Sequence, residues 1–415
     1  MAWVNWTRKS GADLTGERGS LGIELNASRA RATTGKASRN RVLLLEDPHA
    51  DLPQTISLEK RSAEVGRAGT ALLRRLPHLT CSSFLPCLGQ SLEWKGGRHS
   101  LDVSAALTLT FDKLRASCPG FANIYFGLPA YLNLQQVNKL ALVAGKHRFP
   151  LKGTVVAPLA VAANRAAALL ASPSADSEPK EEWVVPMYRG GKPALPADVV
   201  IVDADDFALT ACLIRVEANQ ARILAATALP RCGVRLWKDR LLDSLSDRCV
   251  RVCRRDPRDS ADAEQDLFQQ IDESLDRLRF GQKLSLTVRA AHWFQDLHLR
   301  PEELETFCAP LVKQGLDGVR DLLASVNLSE PPRGVWLTHE AGRLPGLGNA
   351  LHQNMAERTA VGMLRPEAVS VAVANLGERW LAGELPNVHL DTSIPIALKV
   401  ADTKPLAAPA AKTLR

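Results

Sequence analysis

Aromatic residues are scarce in this sequence, making up 5% of its 415 residues. A groove that grips single-stranded nucleic acid stacks bases on aromatics set among basic residues. The densest basic stretch, Ala27–Arg41 (ASRARATTGKASRNR), contains no aromatic at all. Nucleic acid is therefore not an expected partner, and the stretch reads as a solvated, arginine-rich surface. Long apolar runs are missing as well. The longest, such as Val155–Ala163, fall short of the roughly eighteen residues of a membrane helix, and that one is interrupted by Pro158. The amino terminus, MAWVNWTRKSGADLTGERGS, lacks the basic-then-apolar order of a secretory signal. The expectation is a cytoplasmic protein with no membrane partner.

Motifs for metals and common cofactors are absent too. The close cysteine pairs, Cys81/Cys87 and Cys249/Cys253, do not have the C-x-x-C spacing of zinc or redox sites. The cysteines, with Cys118, Cys212, Cys232 and Cys308, are expected to be buried reduced thiols. There is no G-x-x-x-x-G-K-[ST] loop and no H-E-x-x-H. Gly342, Gly346 and Gly348 follow a strand at the wrong spacing for a dinucleotide fingerprint. Nothing marks a nucleophile elbow. No catalytic residue and no metal ligand is assigned; the acids Asp203, Asp205 and Asp206 read as solvated.

What is present is an ordinary globular composition, 46% hydrophobic, with a mild net charge of +7. The length suits two or three domains or lobes. Strand signals occur at Leu21–Leu25, Arg41–Leu45, Leu52–Val65, Asn123–Gly127 and Gly153–Ala157. Leu101–Leu109 alternates in a way that fits helix or strand. Asn133–Gly145 has a helical apolar stripe closed by Gly145. An alanine-rich helix runs from Pro158 to about Ser172, and Ser172–Asp198 is a Pro- and Gly-bearing connection. A second half opens with Asp198–Asp203 (DVVIVD). Strands at Phe207–Val216 and Ala221–Ala228 follow, joined by a turn at Glu217–Gln220. Helices are expected at Leu236–Val252, Ala261–Leu278, Arg300–Val326, Pro345–Ala356 and Pro366–Trp380, with strands at Leu284–Arg289 and Gly334–Leu337.

Each half starts with an apolar strand leading to an acid, Glu24 in LGIEL and Asp203 in VVIVD. Each continues through strand, hairpin and helices. The pattern implies two α/β lobes of related topology with a ligand cleft between them.

Phe126–Gly145 (FGLPAYLNLQQVNKLALVAG) resembles the V-P-A-Y-F-N-x-x-Q-R segment of the 70-kilodalton heat-shock chaperone family. Pro129, Ala130, Tyr131, Asn133, Gln135, Gln136, Ala144 and Gly145 carry the match. VVIVDADDFALTACLI stands where that family has a strand and D-L-G-G-G-T-F-D. ATALPRCGVRLWKDRL resembles its G-G-x-x-F-D-x-x-L segment, and Pro366–Ala374 its P-D-E-A-V-A helix. The resemblance spans roughly residues 20–380. It implies the two-lobed, actin-like ATPase (ribonuclease H-like) fold with a central cleft. Residues 20–197 would form lobe I and 198–365 lobe II. Residues 366–400 would return to lobe I through a helix and a linker-like segment. Residues 1–19 and 401–415 would be flexible tails.

The family's nucleotide motifs are eroded. The first phosphate loop reads Glu24-Leu25-Asn26-Ala27-Ser28-Arg29-Ala30, with Asn26 in place of glycine. The second reads Asp203-Ala204-Asp205-Asp206-Phe207-Ala208, with all three glycines gone. A glycine loop lets backbone N–H groups approach phosphate oxygens without a Cβ in the way. Thr70 stands where the family's lysine would be, and Val156–Ala162 loses the acid of N-E-P-T-A-A-A. At the adenosine site, Gly342 and Arg343 survive from G-G-S-T-R-I-P, and Glu273 and Arg277 from E-x-x-K-R.

The resemblance therefore implies a degenerate nucleotide cleft of Glu24, Asn26, Ser28, Asp203, Asp205, Asp206, Glu273, Arg277, Gly342 and Arg343. Magnesium–ATP or –ADP would be held weakly or not at all. Val388–Ile396 (VHLDTSIPI) resembles the family's linker and the first strand after it, and the expectation is that no client-binding domain can be built from the remainder. The expected function is that of a non-hydrolysing binding or regulatory protein with a protein partner. The alternative is a divergent ATP-binding chaperone-type ATPase.

Overall fold

The computed structural model describes residues 19–35, 40–171, 196–278, 281–386 and 388–396. Most of the two expected tails, and residues 172–195 of the expected connection, lie outside them.

Two sheets organise this mixed α/β chain. The first runs, edge to edge, His389–Leu390, Leu151–Val156, Ile124–Leu128, Ser20–Leu25, Arg29–Gly35 and Arg41–Val42, with Asp51–Pro53 also paired to Arg29–Gly35. The second runs Ala360–Met363, Gly334–Leu337, Ala197–Ala204, Leu209–Val216, Gln220–Leu229 and Ser393–Pro395. In each sheet the strand that opens its half of the chain, Ser20–Leu25 or Ala197–Ala204, turns back into an antiparallel neighbour. On its other side lie two parallel strands, with the short parallel strand His389–Leu390 beyond them in the first sheet. Apart from His389–Leu390 and Ser393–Pro395, which sit at opposite edges, the main strands of the two sheets follow one order.

Two helices lie between the sheets. Ala157–Ala171 leaves the first sheet and packs on the second, while Ala368–Leu381 leaves the second and packs on the first. They also pack on each other, and Asn375 Nδ2 donates to Asn164 Oδ1 at 2.9 Å. The layer buries Tyr125, Ile201, Ile214, Val373 and Trp380. Tyr125 and Trp380 stack with centroids 4.9 Å apart.

Small residues permit this approach. A Cβ on Gly22 would stand 2.2 Å from the Ala374 nitrogen and 2.4 Å from the Ser370 oxygen, both backbone atoms that cannot swing away. Gly22→Ala is therefore expected to lower stability by about 1–3 kcal/mol through overpacking. Thermal unfolding checks this, and an unchanged midpoint would refute it.

The outer faces carry further helices. Val103–Ser117 starts on Asp102, whose side chain accepts from Ala105 N. Leu134–Lys146 starts on a reciprocal Asn133/Gln136 capping box. Beneath them, the Phe111 and Phe149 rings stack at 4.7 Å and Phe126 completes the cluster. On the second sheet, Val234–Cys253, Ala261–Leu278 and Pro301–Ala324 enclose Trp237, whose Nε1 donates to Cys232 O at 3.1 Å. A hairpin of Leu284–Ala290 and Trp293–Leu299 leans on helix Ala261–Leu278 through Leu284, Leu286 and Val288.

Several expectations change. Within Ala27–Arg41, expected to be a solvated surface, Arg29–Gly35 is a fully buried strand, with Arg29 and Arg31 inside it, while Asn40 and Arg41 are exposed. Leu101–Leu109 falls mostly within a helix, Arg41–Leu45 shrinks to a two-residue strand, and Gly145 lies within its helix rather than ending it. Leu284–Arg289 gains a partner strand, Trp293–Leu299. The thiols are free, with Cys87 and Cys253 half-buried and the other six buried. Burial pushes Cys81, Cys118, Cys212 and Cys308 up to about 12. Val388–Ile396 extends both sheets: His389–Leu390 pairs with Thr154–Val155, and Ser393–Pro395 with Gln220–Arg222. Among the described residues no helix is long and apolar enough to cross a membrane.

Candidate functional site

The two opening hairpins meet at the junction of the sheets, and their turns are built alike. After Ser20–Leu25, Asn26 N donates to Arg29 O at 3.0 Å. Asn26 Oδ1 accepts from Ser28 N at 3.0 Å and Arg29 N at 2.9 Å. After Ala197–Ala204, Asp205 N donates to Ala208 O at 3.0 Å, and Asp205 Oδ1 accepts from Phe207 N at 2.9 Å and Ala208 N at 3.0 Å. Asn and Asp close such turns by mimicking a backbone carbonyl. Both loops therefore close without a glycine.

The turns then dock on each other. Asp205 Oδ2 accepts from Ala27 N at 3.0 Å and from the Tyr131 hydroxyl at 2.6 Å. Ser28 Oγ accepts from Asp206 N at 2.7 Å. The Tyr131 ring meets Phe207 edge-on at 5.0 Å. Asp203 Oδ1 accepts from the Thr338 hydroxyl at 2.6 Å, and Glu24 Oε1 from Asn26 Nδ2 at 3.0 Å. The second Glu24 oxygen is buried without a partner.

These carboxyls are shifted. Burial and the nearby Glu24 push Asp203 up to about 7. Burial takes Asp205 to about 6 despite its donors Tyr131, Ala27 and Ala208, and it also raises Asp206. Burial and the Asp205 carboxylate hold the Tyr131 phenol well above its ordinary range.

A charged network extends from the first turn. Arg29 reaches across to Glu340 in a very short ion pair and also faces His339 Nδ1 at 3.3 Å and Asp51 at 3.5 Å. Arg31 binds Asp51 through two contacts of 2.5 and 2.6 Å. Glu340 also accepts from Arg343 at 3.1 Å. Arg343 continues to Asp272 at 3.3 Å and Asp276 at 3.5 Å, and His339 Nε2 lies 2.9 Å from Asp276. Burial opposes the Glu340 charge, but Arg343 and Arg29 hold its carboxyl well below the usual range. Farther out, Arg74 pairs with Asp239 and lies over Phe268 at 4.5 Å, while Gln265 Nε2 donates to Thr70 O at 3.0 Å. The Thr70 hydroxyl donates to Arg67 O, within its own segment.

Glu24, Asn26, Ser28, Asp203, Asp205, Asp206 and Arg343 are thus brought to this junction, and Gly342 lies buried beside Arg343 with Met363 near its Cα. Glu273 and Arg277 are not; both are exposed on helix Ala261–Leu278. Their neighbours Asp272 and Asp276 face Arg343 instead. Sequence reasoning also missed Arg29, Arg31, Asp51, Tyr131, Thr338, His339 and Glu340 as site residues. The one local signal was charge at alternate positions, Arg29 and Arg31, which puts both on one side of a strand. No group of three or more acids, histidines or cysteines among the described residues is placed to hold a metal ion.

Neither protein-family models nor curated proteins match this chain. The functional reading therefore rests on the junction itself.

Proposed function

We propose that this chain is a non-hydrolysing relative of the 70-kilodalton heat-shock chaperone's ATPase domain, on the two-lobed actin-like fold, working as a binding or regulatory protein. The shared strand order of the two sheets and the pair of crossing inner helices support the fold part of this reading. One observation carries the rest. In an active enzyme of this kind the two turns present free backbone N–H groups to phosphates. Here the N–H groups of Ala27, Ser28, Arg29, Asp206, Phe207 and Ala208 all donate to side-chain oxygens of the protein. A phosphate would have to displace these bonds, and it would meet buried carboxyls. At 4–5 Å and an effective dielectric near 20, each unit charge opposes it by about 4 kcal/mol.

Calorimetric titration of the whole chain with MgATP is expected to give no saturable heat, and millimolar MgATP to raise the unfolding midpoint by less than about 1 °C. A dissociation constant below about 10 μM, near −7 kcal/mol, would overturn the proposal. The unpartnered Glu24 oxygen beside Asp203 favours the second reading, a divergent ATPase that takes a cation with its nucleotide. The same titration decides between the two.

A further inference from the structure

Beyond the docked turns, the two halves of the chain touch a second time. Helix Arg67–Thr70 packs on Asp51–Pro53 and Thr55–Ser57 of the first half. The turn after it is seated on helices Val234–Cys253 and Ala261–Leu278 of the second. Gln265 holds two backbone groups of that turn at once. Its Oε1 accepts from Arg74 N at 2.7 Å, and its Nε2 donates to Thr70 O at 3.0 Å. The Arg74 side chain pairs with Asp239, stands 3.8 Å from Glu264 and lies over the Phe268 ring. Leu73, half-buried, packs against the core of the second half. Nearby, Arg235 Nη1 donates to Ser82 Oγ at 3.3 Å.

Each side of this contact is fixed to its own turn. In the first half, Gln54 N donates to Ser28 O at 2.8 Å, and Gly66 N, at the start of helix Arg67–Thr70, donates to Thr55 O at 2.8 Å. In the second, Val234 N, at the start of helix Val234–Cys253, donates to Asp205 O at 2.8 Å. The pieces that meet at Gln265 thus continue the pieces that meet at Asp205. The outer contact differs in kind from the layer of inner helices, which is apolar and buried. The side chains of Arg74, Asp239 and Glu264 are 20%, 34% and 21% exposed. Ion pairs that water reaches are weak and screened by salt. Regions with few buried apolar contacts open before the whole fold does. We propose that Thr70–Arg74 is a releasable clasp. Seated on Gln265, it holds the outer rims of the two halves together, and its release parts the docked turns while the inner helices stay packed. Release frees the N–H groups of Ala27 and Asp206, which donate across the junction. The clasp stands on these crossing contacts alone and operates whether or not nucleotide binds.

Hydrogen exchange of the intact chain tests this, read by mass spectrometry in peptides that carry Ala27, Asp206 and helix Ala368–Leu381. Arg74→Ala with Gln265→Ala is expected to speed exchange at the two turns about tenfold or more and to leave Ala368–Leu381 at its wild-type rate. Turns that keep their wild-type rates in this variant would overturn the proposal. So would an equal acceleration of Ala368–Leu381, the mark of a general loss of stability. The wild type supplies a second measurement that no folding defect can disturb. Raising sodium chloride from about 0.05 to about 1 M screens the Arg74 pairs and should speed the same turn peptides but not the helix. Turn rates indifferent to salt would count against the clasp as decisively.

Discussion

Arg29→Ala is expected to lower the free energy of unfolding by about 3–5 kcal/mol, the cost of stripping one partner from a buried ion pair. Arg29 is 6% exposed and Glu340 4%. Without the guanidinium, Glu340 keeps Arg343, but Glu24 and Asp51 each lose a facing cation. Burial disfavours the Arg29 charge, yet Glu340, Asp51, Glu24 and Asp203 together hold its pKa above the ordinary value. The network is thus tuned to keep that proton. Urea unfolding at neutral pH measures the loss as a lower midpoint at unchanged slope. Removing both charges, Arg29→Met with Glu340→Gln, should cost less than the sum of the single changes. A loss below about 1 kcal/mol for Arg29→Ala would mean that solvent reaches the junction.

Asp203→Asn should act in the opposite direction, and only at higher pH. The folded carboxyl keeps its proton up to about 7, whereas an unfolded aspartate releases it near 4. Between those values the folded chain binds more protons than the unfolded one. Stability contributed by this group therefore falls as pH rises, by about 1.4 kcal/mol per unit. Above pH 7 the full penalty is present; below pH 4 it is absent. Asparagine cannot ionise, and its oxygen still accepts from Thr338. The variant should gain about 2–4 kcal/mol over the wild type at pH 8 and almost nothing at pH 4. Paired urea titrations at the two pH values give the difference directly, and an equal effect at both would exclude a titrating Asp203.

The order of elements was readable because it follows from local pattern. LGIEL and DVVIVD have the continuous apolar character of strands buried on both faces, and both sit at sheet centres. The helix over Leu134–Lys146 was legible from its apolar stripe and its start at Asn133. The site was only half legible, for a different reason. Arg31 finds its carboxylate 20 residues away and Arg29 finds one 311 residues away, so no local pattern distinguishes them from surface arginines. On helix Ala261–Leu278, Glu273 and Arg277 each stand one residue from Asp272 and Asp276, which face Arg343. One residue is about 100° of rotation, enough to turn a junction-facing side chain out to solvent. The second hairpin strand, Trp293–Leu299, is hard to read because the polar Gln295 takes an inward position and the apolar Phe294 an exposed one, which breaks the alternation; only Leu297 and Leu299 are fully buried.

The carboxyl-terminal segment has a mechanical meaning. Leu390 belongs to one sheet and Ser393 to the other, and only Asp391 and Thr392 lie between them. Three Cα steps span at most about 11 Å. While both short strands stay paired, these two sheet edges are leashed within that distance. While both pairings hold, no swing of one sheet against the other can part these two edges by more than that distance, whatever happens at the docked turns elsewhere.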